Sequence, residues 1–137
     1  MTQSSDITGK TKDAGFQVGA RKTFSIPLEE AWNFITSEGL SIWLGNMHNR
    51  PLKPGLTYFL DNGCYGEIRV FSTQSHLRLT WQPPNWPRPS TIQVRVIPNG
   101  AKTVIAFHQE HLPGLAEREE RKLFFKNVLK QIEDKFS

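Results

Sequence analysis

The chain has 137 residues, a net charge of +4, 37% hydrophobic residues and a single cysteine. That length fits one domain with a core of its own, and a lone Cys64 excludes an internal disulfide and suits a reducing cytoplasm. No apolar run reaches the 18 or so residues that span a bilayer, and the polar N-terminus lacks the apolar core of a signal peptide, which excludes a membrane span.

The first 15 residues, polar and rich in Ser, Thr and Gly, are expected to be a flexible leader, so that one domain occupies residues 16–137. Gly15 to Ile26 alternates apolar Phe16, Val18 and Ala20 with polar neighbours, the period of a half-buried strand. At Pro27 the period changes. Leu28, Ala31, Trp32 and Ile35 fall at i, i+3, i+4 and i+7, and Glu29 and Glu30 complement a helix N-terminus. Gly39 interrupts this helix, and "LSIWLG", Leu40 to Gly45, reads as a second short one closed by glycine.

Five strand-like runs follow, Leu56–Leu60, Tyr65–Phe71, His76–Trp81, Thr91–Ile97 and Thr103–His111. Asn62-Gly63 and Asn99-Gly100 mark hairpins, for which the primed turns want positive φ at both positions. The third connection, "WQPPNWPRPS" from Trp81 to Ser90, holds four prolines that stiffen it around Trp86. Period-two alternation points Ile68, Val70, Leu77, Leu79, Trp81, Ile92, Val94, Val96, Ile105 and Phe107 to one interior face. Gln109 and His111 follow Phe107 on that face.

The last segment is helical over about 20 residues, with Phe125, Val128, Leu129, Ile132 and Phe136 on one face. Its six bases, Arg118, Arg121, Lys122, Lys126, Lys130 and Lys135, are interleaved with five acids, Glu117, Glu119, Glu120, Glu133 and Asp134. That is a solvated helix face rather than a phosphate-tracking stripe, so nucleic acid is not expected as a partner.

Strand, two short helices, five strands and a long helix is an order that resembles the START-like (SRPBCC) superfamily, which includes the birch-pollen allergens, lipid-transfer domains and polyketide cyclases. "RKTFSIPLEEAWNFIT", "SIWLG", "HLRLTW" and "TVIAFHQEHLP" together resemble the branch named after the activator of the heat-shock-protein-90 ATPase. The resemblance implies an α+β helix-grip fold, with a curved antiparallel sheet of about six strands wrapped on the long helix. One departure is the Leu123-Phe124-Phe125 run, where that branch often carries a tryptophan.

Direct search for chemistry finds little. Of His48, His76, His108 and His111, the last two are three apart on a regular strand and would face opposite ways, so no metal set is expected. Cys64 has no neighbouring base to activate it and reads as a small packed side chain. Glu67 and Arg69 share a face and pair in solvent. No nucleophile, paired-carboxylate or phosphate-cradling pattern is present, and no cofactor is implied.

The expected function is therefore binding of a small apolar or aromatic molecule in a cavity between sheet and last helix. Trp43, Tyr58, Trp81, Trp86, Phe107, Gln109, His111 and Phe125 are the expected ligand-binding residues. Meander parity puts the "DNG" turn, the Trp/Pro loop and the "HLPGL" connection at one end, where Trp43, Trp86 and Pro113 would ring an opening. Two alternatives stand beside this reading. One is a chaperone-interacting module that uses Trp86 and the charged helix face; the other is a cyclase- or hydrolase-type enzyme that uses Gln109, His111 or Glu110.

Overall fold

A computed structural model describes residues 10–11, 15–47 and 52–136. Its elements are β1 (Lys10–Thr11), β2 (Gly15–Phe24), α1 (Leu28–Ile35), α2 (Leu40–Trp43), β3 (Thr57–Phe59), β4 (Tyr65–Ser72), β5 (His76–Trp81), β6 (Ser90–Asn99), β7 (Lys102–Leu112) and α3 (Leu115–Phe136). The strands form one antiparallel sheet in the order β1-β2-β7-β6-β5-β4-β3. It is an α+β helix-grip fold, with the two-residue β1 added at one edge. Of the expected leader, Lys10 and Thr11 pair with Phe16 and Gly15; residues 1–9 and 12–14, like His48, lie outside the described residues.

The core forms where the inner sheet face meets the helices. Ile68, Leu77, Leu79, Ile92, Val94, Ile105 and Phe107 from the sheet are buried with Phe125, Val128, Leu129 and Ile132 of α3 and Ala31, Trp32 and Ile35 of α1. Removing that apolar surface from water is the dominant stabilising term. Pro27 precedes α1, whose first turn carries Glu29 and Glu30. The Trp43 indole donates to the Ile35 carbonyl at 2.9 Å, which fixes α2 against α1.

Two β-bulges reset the alternation, and each corrects an expected side-chain direction. Ile68 pairs with Leu79 but Val70 with Arg78, so β4 carries an extra residue there. Val70 consequently turns outward and is 36% exposed, while Phe71, opposite Leu77, turns in and meets Trp32 edge-on at 5.4 Å. In β7, Val18 pairs with Gln109 but Phe16 with Leu112. His111 adopts a positive φ of 64° within that bulge, its side chain leaves the interior, and Leu112 takes the buried position. Alternation predicts facing only while a ladder is regular.

The turns also differ from the expected pattern of positive φ at both residues of each Asn-Gly pair. Asn99 pairs with Lys102, so the hairpin closes on Gly100-Ala101, with positive φ at Gly100 but not at Asn99. That is the type II′ pattern. At the other hairpin Gly63 has positive φ and the Asn62 side chain accepts from the Cys64 N–H at 3.0 Å.

Candidate ligand site

A buried polar chain crosses the otherwise apolar interior. Arg121 Nε donates to Gln109 Oε1 at 2.8 Å, Gln109 Nε2 donates to Ser90 Oγ at 2.8 Å, and Ser90 Oγ donates to the Trp81 carbonyl at 2.7 Å. The chain joins α3, β7, β6 and β5. Gln109 and Ser90 are fully buried and Arg121 is 7% exposed. Gln109 points inward because it lies two residues beyond Phe107, before the bulge. Arg121 does so because it stands four residues before Phe125 and seven before Val128, on the apolar stripe of α3.

Aromatic rings enclose this chain. The Arg121 guanidinium carbon lies 4.1 Å from the Phe124 ring centroid, 4.2 Å from that of Trp81 and 4.9 Å from that of Phe125. Phe125 stacks on Phe107 at 5.1 Å, and Phe107 meets Trp43 at 5.9 Å. Tyr58, fully buried on β3, donates its hydroxyl to the Thr80 carbonyl.

Burial shifts the titrating groups around Arg121. It pushes the guanidinium down to about 10, against the stabilising charges of Cys64, Glu120 and Tyr58. It pushes the Tyr58 hydroxyl well above the ordinary tyrosine range, with Cys64 adding to the rise and Arg121 opposing it. The Cys64 thiol is likewise raised by burial, again opposed by Arg121.

Of the expected ligand-binding residues, Tyr58, Trp81, Phe107, Gln109 and Phe125 are buried in this interior. Trp43 is buried too, against Phe107, and so does not stand at a rim. Trp86 is half-buried. Its ring meets Trp81 edge-on at 5.3 Å, its N–H donates to the Pro83 carbonyl at 3.1 Å, and its own carbonyl accepts from Gln82 Nε2 at 2.7 Å. His111 is separated from Gln109 by the bulge and joins the outer face, with Nε2 3.3 Å from Glu110 Oε2. There Glu110 also meets Arg78 at 3.6 Å and His108 at 3.8 Å. Among the described residues no three His, Cys, Asp or Glu side chains form a metal-ligand set.

Sequence reasoning missed Arg121 and Ser90. Arg121 was assigned to the solvated face for its charge, although its spacing to Phe125, Val128 and Ile132 places it on the buried one. Two of the charges that face outward pair with other elements, Glu133 with Lys22 at 3.3 Å and Lys135 with Glu38 at 2.9 Å.

A cleft of about 670 Å³ opens between the Trp/Pro loop and the β7–α3 connection, lined by Gly15, Pro87, Arg88, Pro89, His111, Leu112 and Pro113. Its volume lies within the range of small-molecule sites. The three connections meet at one end, with Pro87 and Pro89 facing Pro113 across this cleft and Gly63 of the "DNG" turn against Pro84, but of Trp43, Trp86 and Pro113, expected to ring an opening there, Pro113 alone lines it.

The sequence model of one family, described as Activator of Hsp90 ATPase homolog 1-like protein, matches residues 25–137. No curated protein matches the chain in sequence. Among solved structures, CalU16 from Micromonospora echinospora is similar at a TM-score of 0.75 and 18% identity, over 88% of this chain and 77% of that one. An HSP90 activator from Plasmodium falciparum is similar at 0.66 and 19%, over 85% and 95%. The Aha1 dimer from Colwellia psychrerythraea is similar at 0.72 and 13%, over 88% and 95%. At these identities the structural likeness establishes the fold. The family match spans most of the chain, which belongs to the Activator of Hsp90 ATPase homolog 1-like family.

Proposed function

We propose that the domain binds a small molecule with an apolar or aromatic body between the sheet and α3, at the end where the Trp/Pro loop meets the β7–α3 connection. The observation that carries this reading is the Arg121–Gln109–Ser90 chain inside an apolar interior. A core needs no such chain, whereas a ligand site uses a few fixed polar groups among apolar walls to orient its occupant. Trp81 and Arg121, each 7% exposed, keep a residual path to the surface, with half-buried Trp86 and Phe124 beside them. The buried, unpaired Cys64 suits work in a reducing cytoplasm.

A screen of apolar and aromatic compounds by native mass spectrometry and dye displacement tests this. Saturable one-to-one binding is the expected result, and failure of every compound to bind would overturn the reading.

A second reading, docking to a chaperone, is favoured by Leu123, which is 70% exposed on α3 beside Glu119, Lys122 and Lys126. Capture of the chain by the purified chaperone, weakened by Leu123→Asp, is the result it requires. For the enzymatic alternative, which would use Gln109, His111 or Glu110, Gln109 lies inside while Glu110 and His111 lie on the outer face.

A further inference from the structure

Arg121 is a buried cation that makes no ion pair among the described residues, with Glu120 acting on it only at longer range. Of its five N–H groups, the one on Nε is held by Gln109. Among the described residues, the Nε bond is the one hydrogen bond that Arg121 makes, and neither terminal nitrogen has an acceptor or a carboxylate partner. The rings of Trp81, Phe124 and Phe125 offset part of the lost hydration, yet ring faces do not satisfy a guanidinium fork. Leaving such a charge unpaired costs several kcal/mol. Stability alone would favour leucine or methionine at this place in the Phe125, Val128 and Ile132 stripe.

The surroundings narrow what would complete it. Gln109, itself tied to Ser90, fixes the Nε edge and leaves the two terminal nitrogens without an acceptor among the described residues. Two N–H groups from one plane match the two oxygens of a carboxylate. Arg121 is the one buried cation among the described residues, and the nearby Tyr58 hydroxyl is committed to the Thr80 carbonyl. One cation with no second donor suits a monoanion better than a doubly charged phosphate.

We propose that Arg121 anchors the carboxylate of a small organic acid, whose aryl or alkyl body lies along Trp81 and Phe124 with Trp86 at its outer edge. This rests on the interior being the ligand site, and it names the class of ligand that site takes.

Calorimetric titration of the full chain with 2-naphthoate and decanoate, each beside its neutral amide, separates the two readings. The acids are expected to bind at least about tenfold more tightly than the amides, as a bidentate charged pair requires. Arg121→Met should abolish that difference, and Arg121→Lys, which keeps the charge without the fork, should retain part of it. Amides that bind as well as the acids would overturn the carboxylate anchor and leave the ligand-binding reading standing. No binding by either class would overturn both. Should Arg121→Met fail to fold, the NMR signal of the Arg121 Nε–H in the unaltered chain decides: it is expected to move on addition of the acid and not of the amide, and an unmoved signal overturns the anchor.

Discussion

Tyr58 stands directly opposite Gly66 in the β3–β4 ladder and reaches across it, so that its hydroxyl hydrogen-bonds the Thr80 carbonyl on the next strand. The crossing needs a residue without a side chain. A Cβ at position 66 would overlap the Thr80 carbonyl and come within 2.7 Å of the Tyr58 hydroxyl. Gly66→Ala is therefore expected to destabilise the domain by about 1–3 kcal/mol, as overpacking does. Tyr58→Phe, which removes only the donor, is expected to cost about 1–2 kcal/mol. Urea unfolding of both variants checks the order; equal stability of Gly66→Ala and the unaltered chain would contradict it.

Gln109 and Arg121 should be coupled in stability. Gln109→Leu strands the Arg121 Nε and removes the donor to Ser90, for an expected loss of about 3 kcal/mol. Arg121→Met relieves a buried charge, so its effect should be small or even stabilising. The double variant is expected to recover at least about 1 kcal/mol of the Gln109→Leu loss. Strict additivity in a double-mutant cycle would show that the two groups act independently.

Trp86 offers an optical test of the opening. It is held by Trp81, Pro83 and Gln82 rather than swinging freely. Bound ligand should change the tryptophan emission, and Trp86→Phe should remove most of that change. An unaltered response in the variant would make Trp86 a local cap and leave Trp81 as the reporter.

Alkaline pH should weaken the fold through Cys64 first and Tyr58 next. Both groups have raised values in the folded state, so the native chain keeps protons that the unfolded chain releases. Stability is then full below the unfolded values, about 8.5 for cysteine and about 10 for tyrosine, and falls as pH rises past them. The slope is at most about 1.4 kcal/mol per pH unit per group. Arg121, lowered by burial to about 10, acts in the opposite sense above that pH. Denaturant unfolding between pH 8 and pH 10 therefore reads mainly Cys64, and Cys64→Ala should flatten the decline.

Element order, the strand pairing and most of the interior face were legible in the sequence, because Leu77, Leu79, Ile92, Val94, Ile105 and Phe107 obey a period that only a half-buried sheet produces. Val70 and His111 were not. Each lies at a bulge, where one inserted residue reverses facing, and neither carries a local signal such as glycine. Arg121 was hidden for a different reason. Charge argued for the surface and spacing for the interior, and spacing prevailed because Gln109 waits at the right depth to receive its Nε.

The pairing of β2 with β7 bears on how the chain is made. Thr103 Oγ1 donates to the Ile26 carbonyl, 77 positions apart in sequence, and Phe16 pairs with Leu112. During synthesis β2 emerges long before its partner. Strands β3 to β7 can zip by short hairpins, whereas β2 must wait for a long loop to close, a step that topology makes slow. Meanwhile β2 is a free edge that other chains could join. Arg21 and Lys22 in its middle keep that edge charged, a guard on the growing chain as well as a surface of the finished one.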